Sequence, residues 1–158
     1  MSLIMKISLI ISIYFFFNSS WSQTLDSIRS SDTLYIYFDY GKCQDIYLKE
    51  NINDVLKLKI YRFSSDNYNS IFFKSGLYHD YNNYDKKIEA SKKIVDKCFL
   101  KEKKKLILDI NFFIEYGFKE TFFLIWKKKL FLIDKKEIKK NKITLKEIII
   151  ENYTYFEE

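Results

Sequence analysis

Few residues in this chain have the types and spacing that chemistry needs. A single histidine, His79, stands beside Asp80 in the segment LYHDYNN, and the two cysteines outside any motif are Cys43 and Cys98. Imidazole is the commonest general base, yet a carboxylate next to it in sequence does not by itself orient the ring. His79 therefore reads as a solvated loop residue. A zinc site would need His79, both cysteines and a carboxylate to converge, and the cysteine separation matches no zinc or CxxC redox spacing. The chain contains no GxSxG and no HExxH, the layouts that place a serine nucleophile or a zinc-activated water. Gly41, Gly76 and Gly117 are isolated, so no phosphate-cradling loop of the usual form exists. Acid pairs such as Asp80 with Asp85, or Glu157 with Glu158, carry no spacing that fixes them in a cleft. The expectation is a non-enzymatic chain without metal or cofactor; a small secreted enzyme or toxin centred on His79 is the weakest of three readings.

Charge is the strongest signal. From Lys86 to Lys146 the sequence has 19 lysines against eight acids, whereas residues 23–85 carry seven basic and nine acidic residues. Such an asymmetry attracts polyanions through its long-range field. The candidate anionic-contact residues are Lys103, Lys104 and Lys105, then Lys127, Lys128 and Lys129, then Lys135, Lys136, Lys139 and Lys140. Two features weigh against that reading. The basic region has no arginine, the side chain suited to bidentate phosphate contacts. Its lysines also fall at polar phases or element ends, where any folded chain needs solvated residues. Tyrosine is the other excess: Tyr35, Tyr37 and Tyr61 take outward strand phases and are the candidate protein-contact residues, because tyrosine is rigid and amphipathic. Tyr78, Tyr81 and Tyr84 join them in turn-rich sequence.

The N-terminus sets the compartment. Lys6 precedes the apolar run Ile7 to Phe17, and Ser20 and Ser22 flank Trp21. This is the layout of a secretory signal peptide over residues 1–22, cleaved after Ser22, and the run falls short of the roughly 20 apolar residues of a spanning helix. The expected destination is periplasm, cell surface or medium, away from cytoplasmic nucleic acid. In an exported chain Cys43 and Cys98 form a possible disulfide, contributing on the order of 4 kcal/mol through loop closure. Residues 23–32 read as a flexible mature N-terminus and 33–158 as one domain, a length sufficient for a single core.

Stepping along the chain, TLYIYFDY alternates as a strand with Leu34, Ile36, Phe38 and Tyr40 on one face, and DIYLKE, VLKLKIYRF and IFFKSG follow as an antiparallel meander. In VLKLKIYRF, Ile60 faces in and Tyr61 out. Ile88, Ser91, Ile94, Val95, Cys98 and Phe99 share one helical arc, predicting an amphipathic helix from Tyr84 to Lys101 with Cys98 toward the core. Asp109 is placed to cap a short helix that Gly117 ends. Phe118 to Lys129 reads as a further helix whose closing lysines suit the negative end of its dipole, the alternative being a strand TFFLIW with KKK as its hairpin turn. LFLID, apolar on both faces, belongs inside a sheet. KITLKEIIIENY is the last strand, and its phase slip between Lys146 and Glu147 predicts a bulge or bend. The fold expected is α+β, a mainly antiparallel sheet with two or three helices packed on one face. The expected function is interaction with an envelope or extracellular protein through the tyrosine-bearing face; the alternative is binding of polyanions or anionic membrane surfaces through the lysine runs.

Overall fold

A computed structural model describes residues 25–41, 44–50, 57–65, 69–75, 77–80 and 83–154; for 47–50, 57–58, 77–80, 83–89 and 152–154 it describes the backbone alone. The strands are β1 (Thr33–Phe38), β2 (Gln44–Glu50), β3 (Lys57–Ser64), β4 (Ser70–Ser75), β5 (Leu77–Asp80), β6 (Asn83–Glu89), β7 (Lys92–Asp96), β8 (Ile107–Leu108), β9 (Lys129–Asp134) and β10 (Lys142–Thr154). Helix α1 covers residues 25–30, followed by α2 (Phe99–Glu102), α3 (Ile110–Tyr116) and α4 (Phe118–Ile125). One sheet runs β2-β3-β4-β10-β9-β1-β8, with β7 also paired to β10, and β5 pairs β6 as a separate hairpin.

The sheet is mixed, which overturns the expected mainly antiparallel architecture. β1 pairs parallel with both β8 and β9, from Thr33 opposite Lys129 to Phe38 opposite Asp134. The cause is connectivity: β8 reaches β9 only through α3 and α4, and a connection of that length carries the chain back to the end of the sheet at which β8 began. β2, β3 and β4 form an antiparallel meander, but β1 leaves it for the far side of the sheet. β9 is buried along Leu130 to Asp134, as a strand with two apolar faces must be, and lies between β1 and β10.

Helices cover both faces, which corrects the second half of the expectation. The larger core holds Leu34, Ile36 and Phe38 of β1, Leu130 and Leu132 of β9, Ile28 of α1, Phe113 of α3 and Phe118 and Ile125 of α4. The smaller core, on the opposite side of β9, gathers Phe131, Ile133, Ile143 and Leu145, with Phe99 and Leu100 of α2 packed against it. Residues 25–30 are helical, and Ile28 among them is fully buried.

The sheet also curls. Four strand spacings separate β3 from β1, about 19 Å if flat, yet Phe38 stacks on Phe63 with ring centroids 5.6 Å apart. Phe113 closes the inside of the curl, 4.9 Å from Phe63 and 6.2 Å from Phe73. Burial of one such ring contributes about 1.5–3 kcal/mol. Its helix starts where Asp109 accepts a hydrogen bond from the Phe112 amide at 3.1 Å. The helix stops at Gly117, whose φ of 98° suits glycine and where a Cβ would collide with the Glu120 carboxylate.

The helix expected from Tyr84 to Lys101 does not form. Its first part is β6, paired with β5, and its second is β7, paired with Lys142 to Lys146 of β10. The spacing of Ile94 and Val95 fits a helix, but β10 offers an unfilled edge, and pairing there outweighs local propensity. Val95 then turns to the smaller core while Ile94 faces solvent, 72% exposed. The phase slip in β10 has a different cause from the bulge expected. Register with β9 runs unbroken from Leu145 to Ile148, and the irregularity falls later, between Ile150 and Asn152. Ile143 and Leu145 serve the smaller core and Ile148 the larger one. The slip therefore records a change in which face is covered.

Candidate functional site

The parallel strands β1 and β9 have two ends, and the structure distributes the polar chemistry between them. At the C-terminal end stands Asp134, an acidic residue only 2% exposed. Its Oδ2 accepts from the hydroxyls of Tyr40 at 2.8 Å and Tyr61 at 3.2 Å, and its Oδ1 accepts from the Lys136 amide at 3.0 Å. Tyr40 reaches it from a left-handed backbone conformation, φ 41°, and Lys136 Nζ lies 3.6 Å from the Tyr40 ring centroid. Burial, reinforced by the Asp134 bond and charge, pushes the Tyr40 hydroxyl well above the ordinary tyrosine value. Burial does the same for Tyr61, helped by the Asp134 and Glu137 charges. Both hydroxyls are therefore donors, not bases, at any physiological pH. The cluster links β1, β3 and β9, and so fastens the curl.

Around it three lysines are matched to carboxylates. Lys135 pairs with Asp39 at 2.6 Å and Lys142 with Asp96 at 2.7 Å. Glu137 is bonded to Lys146 and faces Lys59 at 3.6 Å. Burial would raise the Glu137 carboxyl, but Lys146 and then Lys59 outweigh it and hold it below the ordinary range. Ile94, Glu137, Lys139, Lys142 and Thr144 line an open groove of about 430 Å³. The charges of Glu137 and Lys142 are satisfied there, leaving Lys139 without an ion pair among the described residues; Lys140 likewise has none.

The N-terminal end is different. Lys103 precedes the 3-10 turn Lys104–Leu106, which packs beside β1 and leads into β8. Lys127, Lys128 and Lys129 lead into β9 on the other side of β1. The first two lysine runs thus converge, while the third lies roughly 16 Å away along β9. Lys128 is spent structurally: its Nζ donates to the carbonyls of Arg29 at 2.9 Å and Ser31 at 2.7 Å, where a cation suits the end of α1. Lys129 faces Glu147 at 3.2 Å. Lys101, Lys103, Lys104, Lys105 and Lys127 are exposed and carry no ion pair among the described residues. Asp26, Asp32 and Glu102 are exposed acids on the elements that lead into this end, and Asp26 lies 3.9 Å from Arg29.

Sequence reasoning missed two features. Asp134 ends a run apolar on both faces, and an acid there has to be buried and paired. The other lies on α4, which buries Phe118, Thr121 and Ile125. At 100° per residue the opposite face should be polar, yet it carries Phe123, 61% exposed, with Trp126 one turn on, 53% exposed. Lys127 Nζ sits 4.8 Å from the Trp126 ring centroid.

The predicted protein-contact residues fare less well. Tyr61 is fully buried, because it shares the inward phase of Phe63. Tyr35 and Tyr37 are half-buried against the smaller core, and Tyr35 meets Phe99 edge-on at 4.8 Å. Burial raises the hydroxyls of both above the ordinary value. Cys98 is exposed at the head of α2, not turned to the core, since the helix meant to carry it inward is a strand and a turn. Cys43 lies outside the described residues, and with it the Cys43 to Cys98 bridge; so do residues 1–22, Tyr81 and the side chains of Tyr78, His79 and Tyr84. Among the described residues no group of three His, Cys, Asp or Glu side chains is placed to hold a metal ion, and no helix is long and apolar enough to cross a membrane. No family model, curated protein or solved structure matches the chain. The molecule is described by its class alone: a curled mixed sheet with helices on both faces and lysines at both ends of its parallel strands.

Proposed function

We propose that this chain is a non-enzymatic binding module that meets an anionic surface through the N-terminal end of its parallel strands. The observation that carries this reading is the convergence there of two lysine runs, of which Lys101, Lys103, Lys104, Lys105 and Lys127 stay exposed without ion pairs among the described residues. Lysine clusters of this kind hold polyanions by releasing condensed counterions. The tyrosine-based protein contact draws no comparable support, since Phe99 and Leu100 pack over the region of Tyr35 and Tyr37 and Tyr61 is interior. Export belongs to the proposal and is supported by the Lys6, Ile7 to Phe17 and Ser20 to Ser22 layout of the first 22 residues.

Heparin chromatography at stepped salt tests the reading. The expected result is retention that falls steeply with salt and is weakened by Lys103→Gln, Lys104→Gln and Lys105→Gln together. Retention no stronger than that of an unrelated protein of equal net charge overturns it. Intact mass from the expressing cells tests export: a chain starting at Gln23 is expected, and a chain retaining residues 1–22 removes the exported setting.

A further inference from the structure

We propose that the anionic surface is a lipid bilayer, and that Phe123 and Trp126 enter its interfacial layer while Lys127 and the Lys103 to Lys105 turn meet its phosphate head groups. The inference rests on the basic-end reading above and names its partner.

Three observations converge on it. First, the exposed aromatic pair is continuous with the basic end: Trp126 closes α4 and its amide bonds the Phe122 carbonyl at 2.9 Å, and the next residues are Lys127 and β9. Second, the pair is built as a unit. Phe122 lies 5.5 Å from Phe123 and 6.5 Å from Trp126 by ring centroids, so a half-buried ring supports two exposed ones from the core side. Third, the nearby acid is turned aside: Glu120 folds back over Gly117. Aromatic rings beside lysines match the depth profile of a bilayer surface, where indole and phenyl settle at head-group level and ammonium groups meet phosphate. A soluble polyanion such as a sulfated polysaccharide would use the lysines alone and leave Phe123 without a role. Lysines near an anionic leaflet each contribute about 1 kcal/mol, which adds to the insertion of the two rings.

Trp126 can report on its own insertion. With Trp21→Phe, it is the sole tryptophan of the chain whether or not residues 1–22 are retained. The protein isolated from expressing cells would be mixed with phosphatidylcholine vesicles, with and without phosphatidylglycerol, and with vesicles of brominated lipid. The expected result is a blue shift and bromine quenching of Trp126 only when phosphatidylglycerol is present, with Phe123→Gln weakening vesicle binding about tenfold and leaving heparin retention unchanged. Phe123 is exposed, so the variant keeps its fold, checked by circular dichroism. Vesicle binding without quenching, or binding indifferent to Phe123→Gln, overturns the bilayer inference while heparin retention leaves the basic-end reading standing. Failure to bind both vesicles and heparin overturns both.

Discussion

The two ends of the β1–β9 pair carry lysines in similar number and to opposite effect. At the C-terminal end Lys135, Lys142 and Lys146 each face a carboxylate, and a buried acid, Asp134, is held by two tyrosine hydroxyls and a backbone amide. At the N-terminal end five exposed lysines face none among the described residues, beside an exposed phenylalanine and tryptophan. Lys135, Lys142 and Lys146 thus stabilise the fold, while Lys101, Lys103, Lys104, Lys105 and Lys127 remain available. What separates them is the neighbours, and the neighbours come from strand order.

The comparison breaks most sharply at Asp134. Asp134→Ala leaves the hydroxyls of Tyr40 and Tyr61 without their acceptor, and buried donors left unmade cost about 3 kcal/mol together. Urea unfolding should show a loss of that size, with anionic binding of the surviving folded fraction unchanged; a loss under about 1 kcal/mol would mean that the cluster does not fasten the curl. Next comes a matched pair of lysine triples. Replacing Lys103, Lys104 and Lys105 with glutamine should weaken binding to anionic vesicles by about 2–3 kcal/mol, whereas the same change at the paired Lys135, Lys142 and Lys146 should cost binding far less. Equal losses in a vesicle co-sedimentation series would erase the distinction between the ends.

Tyr40→Phe comes third. It removes one of two hydroxyl donors to Asp134 and relieves nothing of the φ 41° backbone, so a stability loss of about 1 kcal/mol is expected. The smallest effect concerns pH. The Glu137 carboxyl is held below its ordinary value by Lys146 and Lys59 against the opposing effect of burial. Its contribution is present above the ordinary glutamate range and is lost as pH falls through the lowered folded value. Glu137→Gln should therefore be less stable than the parent at neutral pH, with the gap closing in acid. A gap constant from neutral to acidic pH in parallel urea titrations would show that Glu137 contributes nothing through its charge.

Local signals were legible where one segment contained both the cause and the effect. Asp109 and Gly117 bracket α3 by side-chain capping and by backbone freedom, and LFLID must be interior because neither of its faces is polar. The segment from Tyr84 to Lys101 was illegible for the opposite reason: its helical spacing is real, but the edge of β10 that captures Lys92–Asp96 is contributed by residues some fifty positions later. The phase slip in β10 was visible, but its meaning was not, since a change of covered face and a bulge leave the same trace in sequence. The exposed aromatics of α4 were within reach, because once Phe118 to Ile125 is taken as a helix, Phe123 falls opposite its buried face.

Composition, the scarcity of catalytic groups, the position of the lysine runs along the chain, and the strands and caps whose causes are local all follow from residue order. Long-range packing set the rest: β1 runs parallel between β8 and β9, Tyr61 turns inward to Asp134, and the first two lysine runs share one end while Lys135 of the third pairs with Asp39. The physical reason is that periodicity reports which face of an element avoids water. It carries no information about which other element will cover that face, and here that choice separates a matched charge from an available one.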